Sequence, residues 1–541
     1  MKKELYLIRN TFGISALLFL GSCRSADTDN NLANGGSSAV SFNLLGTEYA
    51  DSGSLLSQAS LGNGSIPNSG NQVQSHNLLI TPSNIMIAEL SPSADASKVP
   101  AQASLGSNSV AAVSGNALGS GAKFRIIAYR QSNGAYHTHQ DYTVGQTAVP
   151  MMLDNGAAYN IVTYSYGTNT LPAISSEEQN NISSAQVNYD DTNRDFMYQN
   201  IAFTPVNANT TLNITLRHRL SQITTIVKLT DVGNMITSIS NGLLTPHYND
   251  GAFPLSSGII SGRSTITSGA QLNFPSSGFP GTTETADPVF VNADTGGSAT
   301  GSFSADVTIG GVTKTVSLPN SFRITPGNKS NLTINLIKCG AYVGANTNIA
   351  NYKEFMCHNL GADTNANPFS PGAAVQGAKY QWGARTGEYG RYVSQVADQS
   401  NTGAVPGWER IGKPDGSWSD TSKTTNDPCP TGYRVPTRAQ WQAALDNNNI
   451  EKVGGTWAQD NNYTRALYFR TPSGIRTLML PTAGSRFYND GGLAERGYRG
   501  VYWSSTDIPS TDAYTFDFRQ YEEQIYNYPR TLGFPVRCIA E

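Results

Sequence analysis

The chain has 541 residues, 38% apolar and only 14% charged, with 53 glycines and a formal net charge of −3. That balance excludes the basic footprint of a nucleic-acid binder. Low charge with abundant Ser, Thr, Asn and Gly fits extracellular β-rich modules better than a cytosolic enzyme, and the length predicts three or four domains.

Residues 1–23 read as an address rather than as structure. Lys2, Lys3 and Arg9 form a basic start, and Ile14–Leu20 (ISALLFL) is an apolar core too short for a permanent membrane helix. Leu20-Gly21-Ser22-Cys23 then reads as a lipobox, and the segment resembles the leader of bacterial lipoproteins. The resemblance implies acylation of Cys23 and a lipid anchor in the outer membrane at the cell surface; an ordinary signal peptide with a chance cysteine is the alternative. Asp27 and Asp29 resemble the surface-export signal of Bacteroidetes lipoproteins, and a solvated acidic linker reads the same way. Residues 24–75 form a Ser/Asn/Gly-rich tether in which Ala39–Leu45 (AVSFNLL) alternates like a strand.

From 76 to 207 the chain reads as short strands separated by turns. Lys123–Arg130 (KFRIIAYR) places Phe124, Ile126 and Ala128 on one face. An Asn133-Gly134 turn leads into Tyr136–Val144, and the turn at Leu153–Gly156 leads into Ala158–Gly167 (AYNIVTYSYG). Hairpins at this spacing indicate an antiparallel sandwich. Residues 208–338 form a second β module: strands at Thr211–Arg217 and Ser221–Leu229, a hairpin through Gly310-Gly311, and a last strand at Asn331–Ile337. The pieces FRIIAYR, LDNGAAYNIVTYSYG, LRHRLSQI and the closing RITPGNKSNLTINL resemble fimbrillins, the subunits and accessory proteins of Bacteroidetes pili. The resemblance covers about residues 40–338 and implies two fimbrillin-like (transthyretin-like) β-sandwich domains. It also implies pilus subunits as partners through donor-strand addition, in which an added strand supplies main-chain hydrogen bonds. One departure matters. Major pilins of this group are cut after an Arg in the N-terminal segment, and here no Arg or Lys lies between Arg24 and Lys98. An accessory, anchor or tip protein fits better than a polymerising shaft subunit.

Residues 339–541 differ in chemistry. All six tryptophans (Trp382, Trp408, Trp418, Trp441, Trp457, Trp503) and four of the five cysteines (Cys339, Cys357, Cys429, Cys538) lie there. Four cysteines in an exported chain read as two disulfides, with three pairings open; no C-x-x-C pair supports a zinc site using Cys357 and His358. Thr437–Leu445 predicts a short helix with Thr437 as its N-cap. Three ordered stretches, CPTGYRVPTRAQW from Cys429, GVYWSST from Gly500 and GFPVRCI from Gly533, resemble the major paralogous domain first recognised in Fibrobacter. That family implies an α+β, C-type-lectin-like fold, with Cys429 paired to Cys538 and Cys339 therefore to Cys357. It also implies core roles for Trp382, Trp441 and Trp503.

No catalytic set emerges: there is no G-x-S-x-G, H-E-x-x-H or phosphate loop, and no paired carboxylates of the glycosidase kind. His137 and His139 share one face of a predicted strand without a third metal donor. Neither a metal nor a cofactor is expected, and the chain reads as a binder rather than an enzyme. A calcium-dependent sugar site of the C-type lectins is disfavoured, because Trp503-Ser504-Ser505 stands where those lectins carry Trp-Asn-Asp. Exposed aromatics remain a route to glycan or protein ligands. The candidates are Trp408 and Trp418 in a long loop, with Tyr488, Asn489 and Asp490 in another; folding back as loop core is the competing expectation for both tryptophans. The sequence thus predicts a surface adhesin or fimbrial accessory protein binding host or microbial glycan or protein, with a nutrient-capture glycan binder as the alternative.

Overall fold

The computed structural model describes residues 36–50, 73–93 and 116–541; the leader, Cys23, the acidic residues after it and most of the tether lie outside the described residues. The described chain is mainly β: two sandwiches, then a mixed unit with the helices Gln395–Ser400 and Arg438–Asn447.

The first sandwich is one seven-stranded sheet. Its spatial order is Tyr136–Thr143, Lys123–Arg130, Tyr159–Ser165, Met197–Phe203, Asn209–His218, Ser37–Glu48 and Met151–Asp154. Phe42 on the sixth strand meets Tyr142 on the first with ring centroids 5.8 Å apart, so the sheet closes over on itself. Alternation sets the inward face: Val40, Phe124, Ile126, Leu153, Ile161, Ile214 and Leu216 share one core. The opposite face of KFRIIAYR is buried too, with Ile127 and Tyr129 packed beside Phe253 and Leu255 of the next module.

In the second sandwich, one sheet runs Thr283–Thr285, Ser221–Thr230, Lys329–Lys338, Asn84–Pro92 and Gln74–Thr81. It faces a sheet of Ala270–Gln271, Ile236–Thr245, Gly301–Ile309 and Val312–Phe322. The expected division at 207/208 is therefore corrected in two places. Asn209–His218 completes the first sheet, pairing in parallel with Ser37–Glu48. The hairpin Gln74–Pro92, expected in the first sandwich or its tether, pairs with Lys329–Lys338 in the second. The physical reason lies in NIMIAELSP, which is apolar at both parities. Met86, Ala88 and Leu90 enter the sandwich core, whereas Ile85 and Ile87 enter the core of the C-terminal unit. Such a strand needs cover on both faces.

The sandwiches are joined where Gln186–Asn188 pairs with Ala252–Pro254. Beside this junction the buried His247 donates from Nε2 to Asp191 (2.9 Å) and accepts the Asn292 N–H at Nδ1 (3.0 Å). The ring is neutral in this arrangement. Burial holds its pKa below the usual histidine value, the nearby Arg194 adds to that, and Asp191 opposes it. An unfolded chain takes up this proton as pH falls through about 6.5, while the folded chain does not. Stability is therefore expected to decline below that pH, by at most about 1.4 kcal/mol per pH unit from this group. Urea melts between pH 7 and 5 should show a smaller decline for His247→Gln; an unchanged slope would remove His247 from the account.

In the C-terminal unit the disulfides are Cys339–Cys357 and Cys429–Cys538, the pairing implied by the family resemblance. Cys357 is thereby withdrawn from any metal role, and His358 donates from Nε2 to the Ala366 carbonyl. The helix Arg438–Asn447 opens with a capping box: Thr437 Oγ1 accepts from Gln440 N, and Gln440 Oε1 accepts from Thr437 N. Its Trp441 is fully buried, as are Trp382 and Trp503. Each of these indoles donates to a carbonyl, of Trp503, Ser504 and Tyr380 respectively. Towards the end of the chain, Gly500–Ile508, Asp512–Arg519 and Glu522–Pro529 form a meander.

Candidate functional site

A polar surface loop follows Ser485–Arg486, and what holds it is a buried ion cluster. Asp398, in the short helix Gln395–Ser400, is fully buried with Lys379 (3.1 Å), Arg486 (2.8 Å) and Arg496 (2.6 Å) on its carboxylate. Burial alone would raise the pKa of Asp398; the three cations overcome that and hold it below the usual carboxylate range. Burial lowers the pKa of Lys379, only partly offset by Asp398. The surplus donors go to main chain. Arg486 donates to the carbonyls of Asp398, Asn401, Gly403 and Gly491, and Arg496 to that of Asp398. Two guanidinium groups thus satisfy carbonyls at the end of a helix, and Arg486 ties the loop at 401–403 to the loop at 487–491.

Of the residues expected to meet a ligand, Trp408 and Trp418 do not face solvent. They are 7% and 1% exposed. Trp408 donates to the Thr531 carbonyl (3.2 Å) and lies under Gly491 and Gly533, where an added Cβ would fall within 2.9 Å of the indole. Trp418 donates to the Asn426 carbonyl (3.0 Å) and packs on Trp382 at 5.7 Å. A long irregular loop has no ladder of its own; an indole gives it buried area and a single donor that one carbonyl satisfies. Of the two readings open at these positions, stacking platform and loop core, both tryptophans take loop core.

Tyr488, Asn489 and Asp490 are exposed, and the structure does bring them to the tryptophan loop. Val405 N donates to the Asp490 carbonyl (2.7 Å) and Arg410 Nε to the Asn489 carbonyl (2.8 Å). The neighbouring Phe487 ring stands 4.5 Å from that of Tyr488, and the two side chains are 42% and 49% exposed. A third loop joins through Glu409 N, which donates to the Gly390 carbonyl. It carries Tyr389, 79% exposed and lying against Gly407, where an added Cβ would meet its ring. Tyr389, Arg410 and Phe487 escaped sequence reasoning. The sequence marks Tyr389 only by the glycines at 387 and 390, whose positive φ comes with the fold. A bulky ring at the tip of so tight a turn has no core to enter.

A concavity lies in the first sandwich. Pairing of Ser37–Glu48 with Met151–Asp154 stops at Val40. Beyond it, Phe42, Leu44, Leu118, Phe124, Tyr142 and Val149 line a cleft of about 440 Å³. His137 and His139 lie on the nearby edge strand without converging: His137 packs by Tyr159 and Arg130, and His139 bonds Tyr136. No group of three or more metal-ligating side chains is present among the described residues, and no helix among them is long and apolar enough to cross a membrane.

A family model described as a domain of unknown function (DUF8237) matches residues 448–539, from the end of the capped helix to the last strand. No curated protein matches the chain. Among solved structures it is similar to a candidate cell adhesion protein of Bacteroides uniformis, at 12% identity over 40% of this chain and 86% of that one, with a TM-score of 0.27. It is also similar to a fimbrial assembly protein of Parabacteroides distasonis, at 8% identity over 39% and 82%, with a TM-score of 0.26. Candidate polysaccharide binding proteins of Bacteroides thetaiotaomicron match at 8% identity over 40% and 84%, with a TM-score of 0.25.

Proposed function

We propose that this chain is a cell-surface lipoprotein, an adhesin or an accessory, tip or anchor component of fimbriae, that binds through its C-terminal, lectin-like unit. The observation that carries the reading is the convergence of three bonded loops that leave Tyr389, Phe487 and Tyr488 in solvent above a buried ionic anchor. Loops on a rigid support are where binding residues concentrate, and exposed aromatic side chains gathered on adjoining loops mark an interaction site where singly scattered ones do not. The work of such a surface is binding, not turnover. The cleft beside Ser37–Glu48 favours a pilus subunit as a further partner, because among the described residues this edge is paired only over Ser37–Val40 and at Thr47, and an open edge accepts an added strand.

The test is fractionation of native cells. Fibres and outer membrane are separated after shearing, and the mature start of the protein is sequenced in each. Acylated Cys23 in the membrane supports an anchored binder, and a downstream start in fibres supports a pilus component. Recovery with an intact leader in the cytosol would sink both.

A further inference from the structure

Resting on that reading, we infer that Tyr389, Phe487 and Tyr488, with Arg410 and Asn489 beside them, form a platform for an extended, uncharged saccharide chain. The rings stand on two separate loops joined through Gly407–Arg410, and none is sunk in a pocket. A protein hot spot gathers its aromatics into a packed, desolvated centre. Here each ring is exposed, and the same bonded loops carry the hydrogen-bonding groups of Arg410 and Asn489. That pattern suits a chain of pyranoses, which offer apolar C–H faces to rings and hydroxyls to amide and guanidinium groups.

The local charge points the same way. Glu388 is engaged by Lys413 (2.6 Å), Glu409 lies 3.8 Å from Arg391, and Asp490 accepts the Gly492 N–H. Three carboxylates set against Lys413, Arg391 and Arg410 leave the surface little net charge for a charged partner, while Arg410 and Asn489 keep donors for hydroxyls. The platform is also fixed before any ligand arrives. Arg486, directly before Phe487, is fully buried and bonds Asp398 together with carbonyls on both flanking loops. A desolvated guanidinium is an expensive way to hold a surface loop; it is well suited to a site that must not lose affinity to loop ordering.

The test applies the mature full chain to an array of immobilised neutral and acidic polysaccharides. Retention on at least one neutral polysaccharide is expected, weakened ten-fold or more in the Tyr389→Ala/Tyr488→Ala variant at unchanged melting temperature. Tyr521→Ala, which removes an 89% exposed ring from a different hairpin, should bind as the parent does. Retention of no saccharide, or equal retention by the double variant, overturns the inference. If the double variant instead loses attachment to whole cells while no saccharide is ever bound, the saccharide assignment falls and the adhesive reading stands.

Discussion

Asp398→Asn is expected to destabilise the C-terminal unit by about 3–5 kcal/mol, the cost of leaving buried charge without its partner. The substitution keeps the shape and removes the sole carboxylate of a cluster with three cations, all of them fully or almost fully buried. Lys379→Met should behave differently. Asp398 would retain both guanidinium groups, and the cluster would lose the cation whose charged form burial already disfavours. A change within about 1.5 kcal/mol is expected there, as for other replacements of similar volume. Urea melts followed by near-UV circular dichroism measure both. Comparable losses in the two variants would mean that packing, not charge balance, governs the cluster. A further consequence concerns the surface: amide exchange at 487–492 should quicken in Asp398→Asn under conditions where the rest of the unit stays folded, because Arg486 loses the group that aims it.

Much of the fold is legible in local pattern, and the failures share a cause. Alternation in KFRIIAYR and SQITTIVKL and the N-cap at Thr437 follow from a few neighbouring residues, and the core positions of Trp382, Trp441 and Trp503 from the family resemblance. The strand Asn84–Pro92 does not. Its double-sided apolarity marks it as buried on both faces but does not say between which two bodies, and that answer depends on residues some 250 positions away. The tryptophans of the long loop stay open between platform and loop core for a related reason: Trp408 is covered by Gly491 and Gly533, which lie far from it in sequence. Asp398 lies in QVADQSN, a stretch that looks like any solvated helix; only the fold brings Lys379, Arg486 and Arg496 to it. Of the candidate surface, Tyr488 and its two neighbours were within reach because a polar loop carrying a tyrosine is unusual. The ring that completes it, Tyr389, needed the turn geometry.

Residues 339–541 expressed alone are expected to lack a native core, although both disulfides and all six tryptophans are present. Ile85 and Ile87 belong to the same buried cluster as Trp441, Leu478, Leu480 and Phe516, with Leu79 packed against it. Burying each isoleucine contributes about 1.5–3 kcal/mol. The hairpin also accepts two main-chain bonds at its turn, from Cys339 N to the Ser83 carbonyl and from Cys357 N to that of Pro82. Against a total domain stability of about 5–15 kcal/mol, losing both contributions leaves little. A fragment that restores residues 73–93 through a flexible linker should regain sharp near-UV dichroism of the tryptophans and a cooperative melt; a well-folded 339–541 fragment without them would show that the borrowed strand is dispensable. Point variants in the full chain separate the two faces. Ile85→Ala should lower the stability of the C-terminal unit by about 2–5 kcal/mol and Met86→Ala that of the second sandwich by a similar amount. The two losses should be read by different probes, tryptophan fluorescence for the first and sandwich amide exchange for the second. If both variants melt the two bodies together, the strand couples them into one cooperative unit. The proposed binding surface at 389–490 is then carried rigidly by the sandwich rather than on a hinged head, and force or strand addition at the sandwiches reaches it through the strands that border both cores.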